Sequence, residues 1–280
     1  FAVGGLGTAV VLEAVSLVLA YKSATPIIPL IKGVEETFMP PALLCMALFV
    51  LLLENSCFAF SKEPWFVHAS RAVDGRPVFS IYYMEWVINV PVLLIVSGKC
   101  AMFRSLAEVS RPLIVTNIYM IFAWSAHFIE NSILRWVLVG ITFAMFGWAS
   151  YDMVNWAIAF RQKAAEDLPS RTFRPILTFG LIVLFGIYGV MYVLALEDQV
   201  STDAERVFFQ ANNFGAKFLM LVSFAGIRAS QYHDLITTLL VNANTGFQRQ
   251  AAMAGVDDGW DVADQTEKQQ FKGRVVAMGQ

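Results

Sequence analysis

Seven apolar stretches separated by short polar connections dominate the chain: Val3 to Ala24, Pro40 to Phe60, Val78 to Gly98, Pro112 to Ile129, Ile133 to Phe160, Arg174 to Leu196, and Ala204 to about Leu240. A helix rises about 1.5 Å per residue, so about 20 residues cross ~30 Å of hydrocarbon, and each stretch is long enough to do so. The pattern predicts an all-α fold, a bundle of seven transmembrane helices over residues 1–243. Residues 244–280 are polar with mixed charge and are expected to form a cytoplasmic tail or linker. Seven crossings put the two ends of the chain on opposite sides. Lys22, Lys32, Lys99, Arg104, Arg111, Arg161, Lys163, Arg171 and Arg174 fall on one side; Lys62, Arg71, Arg76, Arg135 and Arg206 fall on the other. Cytoplasmic loops carry the basic excess, which predicts an extracellular N-terminus and a cytoplasmic C-terminus.

Composition agrees with a membrane span. Of 280 residues 57% are hydrophobic and 15% charged, with a mean hydropathy of +0.59, so the partner of this surface is a lipid bilayer. A net charge of -2 offers no footprint for nucleic acid. No Gly-rich phosphate loop or metal-spaced His/Cys cluster occurs, and nothing marks the chain as an enzyme. Cys45, Cys57 and Cys100 sit in or beside apolar runs and read as small packing residues, not a disulfide framework. His68, His127 and His233 fall near helix ends or loops and read as interfacial. The chain opens at Phe1 without a cleavage signal, so its true start is expected upstream.

One residue breaks the last apolar run. Lys217 lies about ten residues from either end of the stretch Val207 to Ile227, too deep for its ammonium to reach a headgroup easily. Such an amine either pairs with a buried carboxylate for packing alone or condenses with an aldehyde to form a Schiff base. The third helix supplies an acid, Glu85, with Asn89 one turn on along the same face and Trp86 and Val90 along the next. Glu85 is either the counter-charge to that amine or a partner for a loop arginine. Pro91 follows and is expected to kink the helix. On the sixth helix Phe185, Tyr188 and Tyr192 form one aromatic stripe, beside Gly189. With Trp86, and with Thr142 and Phe146 from the fifth helix, the stripe makes either plain core or a slot for a long conjugated chain.

Taken together, Tyr83-Met84-Glu85-Trp86 with Pro91, Arg135 with Thr142, and Asn213-Phe214-Gly215-Ala216-Lys217 resemble a microbial (type 1) rhodopsin, and the likeness spans all seven helices. It implies retinal bound covalently as a Schiff base on Lys217, with Glu85 as counterion. It places Tyr83, Trp86, Asn89, Val90, Thr142, Phe146, Phe185, Tyr188, Tyr192 and Asn213 around the chromophore. Phe185 and Tyr192 are usually tryptophans in that family, and a proline is common at Gly189.

The departures from the family pattern bear on activity. Where ion-pumping relatives carry an arginine, a second acidic counterion and a proton-returning carboxylate, this chain has Tyr82, Asn213 and Val96. A proton pump needs donors and acceptors on both sides of the lysine, so pumping is the weaker expectation. The third-helix Glu-Trp pair and the second-helix Glu54 resemble channelrhodopsins, which makes Glu54, with Glu13 in the first helix, a candidate lining for an ion path; otherwise Glu54 is an interfacial residue near the extracellular end of its helix. The cysteine and aspartate that slow closing in some channelrhodopsins are replaced by Val90 and by Thr116 or Asn117. Other relatives are sensor modules fused to a bestrophin channel or a nucleotide cyclase. The expected function is a light-sensing retinal protein that controls ion flow, through its own pore or an attached channel; a light-driven pump or a sensor signalling to an enzyme or transducer is the alternative. The implied partners are permeant ions, further copies of the chain in a homo-oligomer, and a fused effector domain.

Overall fold

The computed structural model describes residues 2–24, 34–60, 66–164 and 170–253. Lys32, Lys62 and the tail 254–280 lie outside the described residues. Seven helices follow in order: α1 (Ala2–Ala24), α2 (Val34–Phe60), α3 (Ser80–Ile95), α4 (Leu106–Ala126), α5 (Ser132–Lys163), α6 (Phe173–Leu196) and α7 (Thr202–Met253). Among the described residues, five (α2 to α6) are long and apolar enough to cross a membrane, and α1 carries a shorter apolar run, Val3–Val15. Large apolar side chains such as Leu12, Ile114, Val137, Val183 and Val222 face outward, as lipid contact requires.

Each helix packs on its neighbours in sequence, and α7 closes the ring against α2. The main core gathers Trp86, Leu93, Leu94, Met153, Trp156, Leu181, Met220 and Phe224 between α3, α5, α6 and α7. Helix starts follow local chemistry. Ser105 and Glu108 form a reciprocal capping box at α4, and the Asn131 side chain accepts from the Leu134 amide at α5.

Three features depart from the sequence expectation. The α2–α3 connection folds back as a small antiparallel hairpin, β1 (Val67–His68) against β2 (Pro77–Val78). Asp74 and Gly75 turn it in the left-handed region, at φ 52° and 60°. α3 continues as helix through Pro91 and widens one turn later into a π turn at Val96–Ala101. The chain past Asn244, expected to be loose, continues α7 as helix to Met253. At 52 residues, α7 is about 78 Å long against ~30 Å of hydrocarbon.

Candidate functional site

Lys217 lies on the inner face of α7 and is 4% exposed. Its Nζ stands 2.8 Å from Glu85 Oε1 on α3. Removing either partner would leave a charge stranded away from water, so the two are mutually required. One turn before the lysine, Asn213 faces the same way because residues four apart share a helix face. Its Oδ1 accepts from Lys217 Nζ at 3.2 Å, from Trp86 Nε1 at 2.8 Å and from the Tyr188 hydroxyl, tying α7 to α3 and α6 at one oxygen. Its Nδ2 donates to Glu85 Oε2 at 3.5 Å. Asn89 donates to Glu85 Oε1 and to the Ala47 carbonyl of α2 at 3.0 Å. It therefore braces the acid from behind and is not part of the cavity wall.

Beside the pair opens an apolar cavity. Of the residues expected there, Tyr83, Trp86, Val90, Thr142, Phe146, Phe185, Tyr188, Tyr192, Asn213 and Lys217 line it. The wall also includes Leu93, Tyr119, Met120, Ala123, Phe143, Gly189 and Ala216. Tyr119, Met120 and Ala123 give α4 a face that the one-and-four spacing within an otherwise uniform apolar run did not single out. At Gly189 a Cβ would come within 3.0 Å of the Phe143 ring, so the missing side chain lets that ring form the wall.

Glu54, expected at the interface or along an ion path, is buried at 3% exposure with neither carboxylate oxygen hydrogen-bonded. Its electrostatic neighbours are Glu85 and Lys217. Glu13 is likewise buried, near Cys45. Tyr82, where pumping relatives carry an arginine, packs among Phe58, Phe79 and Phe209.

At the hairpin end two further groups escaped the sequence reading. Arg76 donates to Glu205 at 2.7 Å and to the carbonyls of Val200, at 3.2 Å, and Ala195, fastening the hairpin to the ends of α6 and α7. His127 is not interfacial: it is buried, with Nε2 3.1 Å from the Tyr83 hydroxyl. The Asp74-Gly75 turn between short β-prone pairs was the available signal for the hairpin; nothing local signalled the burial of His127.

A family model described as bacteriorhodopsin-like protein matches residues 30–223, more than half of the chain. The chain belongs to this family. Its members bind retinal covalently through a lysine, and this rhodopsin does so too. The cavity fits that group: an apolar, ring-lined slot with one amine in its wall and an acid against the amine. Solved structures with the same fold include the transmembrane domain and linker region of Salpingoeca rosetta rhodopsin phosphodiesterase, at 17% identity and TM-score 0.70 over 90% of this chain and 77% of that one. The transmembrane domain of the same protein matches at 17% identity and TM-score 0.64, over 79% of this chain and 81% of that one. The light-driven proton pump of Coccomyxa subellipsoidea matches at 16% identity and TM-score 0.61, over 79% and 93%. Among curated proteins no sequence match was found.

Proposed function

We propose that this rhodopsin is a light sensor that controls ion flow across the membrane, with retinal carried on Lys217 and its output passed by α6 and α7 to an attached channel. The observation that carries the reading is the Lys217–Glu85 pair at the cavity wall, on a helix that runs unbroken to Met253. Retinal bound there supplies light absorption and a change of shape about one double bond. Glu85 balances the positive charge at the lysine nitrogen. Asn213 feels any displacement of that nitrogen and shares its oxygen with Trp86 of α3 and Tyr188 of α6, so strain at one atom reaches three helices. Tyr83, Val90, Thr142, Phe146, Phe185 and Tyr192 shape the slot, and Asn89 holds Glu85 in place.

An attached effector is favoured by the greater coverage of this chain when the phosphodiesterase's linker is included, 90% against 79%. An enzyme in place of a channel is the alternative output. Pumping is disfavoured because Asn213 and Val96 stand where pumping relatives carry the second acidic counterion and the proton-returning carboxylate, and neither side chain can take up and return a proton. A pore through the bundle itself is the second reading, favoured by the carboxyl of Glu54, buried on α2 without a hydrogen bond, and by a second buried carboxyl, Glu13, on α1. The hairpin face is the extracellular one, since the opposite face carries the basic excess.

Voltage clamp under light on cells expressing these 280 residues separates the outputs. A coloured, light-responsive protein without current is expected. Current that reverses with the ion gradient and changes in Glu54→Gln would establish the intrinsic pore, and current of fixed direction would establish a pump. Lys217→Ala should abolish the visible band on adding retinal; a surviving band would overturn the assignment of the lysine.

A further inference from the structure

His127 follows the last residue of α4, where a ring would ordinarily meet headgroups. Instead it is 2% exposed, because the hairpin folds over it and the Ser70 amide donates to its carbonyl at 3.0 Å. Its ring stands edge-on to Tyr192, with centroids 5.3 Å apart and planes at 89°, and its Nε2 meets the Tyr83 hydroxyl at 3.1 Å. Both tyrosines line the cavity. Its Nδ1 is buried without a hydrogen-bond partner. An unpaired buried nitrogen is unfavourable, so packing alone does not call for an imidazole in this space. What the imidazole adds is the bond to Tyr83.

That bond continues inward. The Tyr83 ring packs edge-on against Trp86, centroids 5.3 Å apart, and the Trp86 indole donates to the Asn213 oxygen that also accepts from Lys217. We infer that His127 is a positioning residue of the chromophore cavity: by fixing the Tyr83 hydroxyl it sets the Trp86–Asn213 contact, and with it the colour and the dark recovery of the pigment. The inference rests on retinal occupying the cavity. A chain of contacts is not by itself coupling, so the test must measure coupling directly.

The full chain is loaded with retinal in lipid vesicles as wild type, Tyr83→Phe, His127→Phe and the double variant. Absorption maximum and recovery after a flash are then read. The two single variants should shift the band in the same direction and by a similar amount, and the double variant should shift it no further than Tyr83→Phe alone. A His127→Phe band at the wild-type position, or shifts that add, would overturn the inference. Nitrogen-15 NMR of histidine-labelled protein gives a second reading that leaves His127 intact: its Nε2 resonance should move in Tyr83→Phe, and an unmoved resonance would also overturn it. Failure of the wild type to colour would count against the retinal reading instead.

Discussion

Glu85 stands 2.8 Å from the amine of Lys217 in a setting with almost no water, so its charge would bear directly on the colour of a chromophore carried there. Glu85→Gln should shift the absorption band of the retinal-loaded protein; an unchanged spectrum would show that another acid balances the amine. His127 makes a separate, pH-dependent contribution. Burial, then the cations of Arg76 and Arg135, lowers its pKa from an ordinary 6.5 to about 4, while Tyr83, Tyr192 and, beyond Tyr83, Glu205 complete its surroundings. The folded protein therefore binds fewer protons there than the unfolded one, and stability should fall as pH drops from about 6.5 to about 4. Thermal melts of wild type and His127→Phe over that range check it: the His127 share of the slope should vanish in the variant. Lys217 and Glu85 were legible in the sequence because a charge inside an apolar run calls for a partner. Asn213 was legible as a cavity residue and as a missing acid, but not as an oxygen shared by three helices, since that depends on side chains far away in sequence. His127 was illegible because its cover comes from a hairpin that begins about sixty residues earlier.

At the level of elements, helix existence was readable and irregularity was not. Apolar runs of about twenty residues force helices in lipid, because no other local structure satisfies the backbone there. The π turn after α3 depends instead on what surrounds it. Ser97 and Thr178 share a 2.6 Å hydrogen bond, and Arg174 donates to the Ala101 carbonyl at 2.9 Å, both from α6. Gly98 fits only without a side chain, since a Cβ would meet Val109 at 2.7 Å and Trp156 at 2.9 Å. Gly98→Ala should therefore destabilise the bundle by about 1–3 kcal/mol, measured by chemical unfolding. The hairpin hangs on Arg76 in a comparable way. Arg76→Ala would leave Glu205 buried without its cation, and a loss of about 3–5 kcal/mol is expected in the same measurement.

For the molecule as a whole, sequential packing and closure of α7 on α2 follow from short connections between antiparallel helices. The length of the last helix did not follow, because polar residues past Asn244 suggested loose chain. Spin labels near Arg174 on α6 and Arg228 on α7 should report a light-induced change in separation; an unchanged distance in a coloured, photoactive sample would exclude these helices as the output. The dimensions of α7 carry one more consequence. From Lys217 to Met253 the helix extends roughly 54 Å, so swinging it by about 5° at the lysine would carry its far end about 5 Å sideways, close to one helical turn. Under the proposed sensor reading the final helix would serve as a lever arm about the lysine, turning an atomic rearrangement there into a displacement large enough for an attached domain to feel.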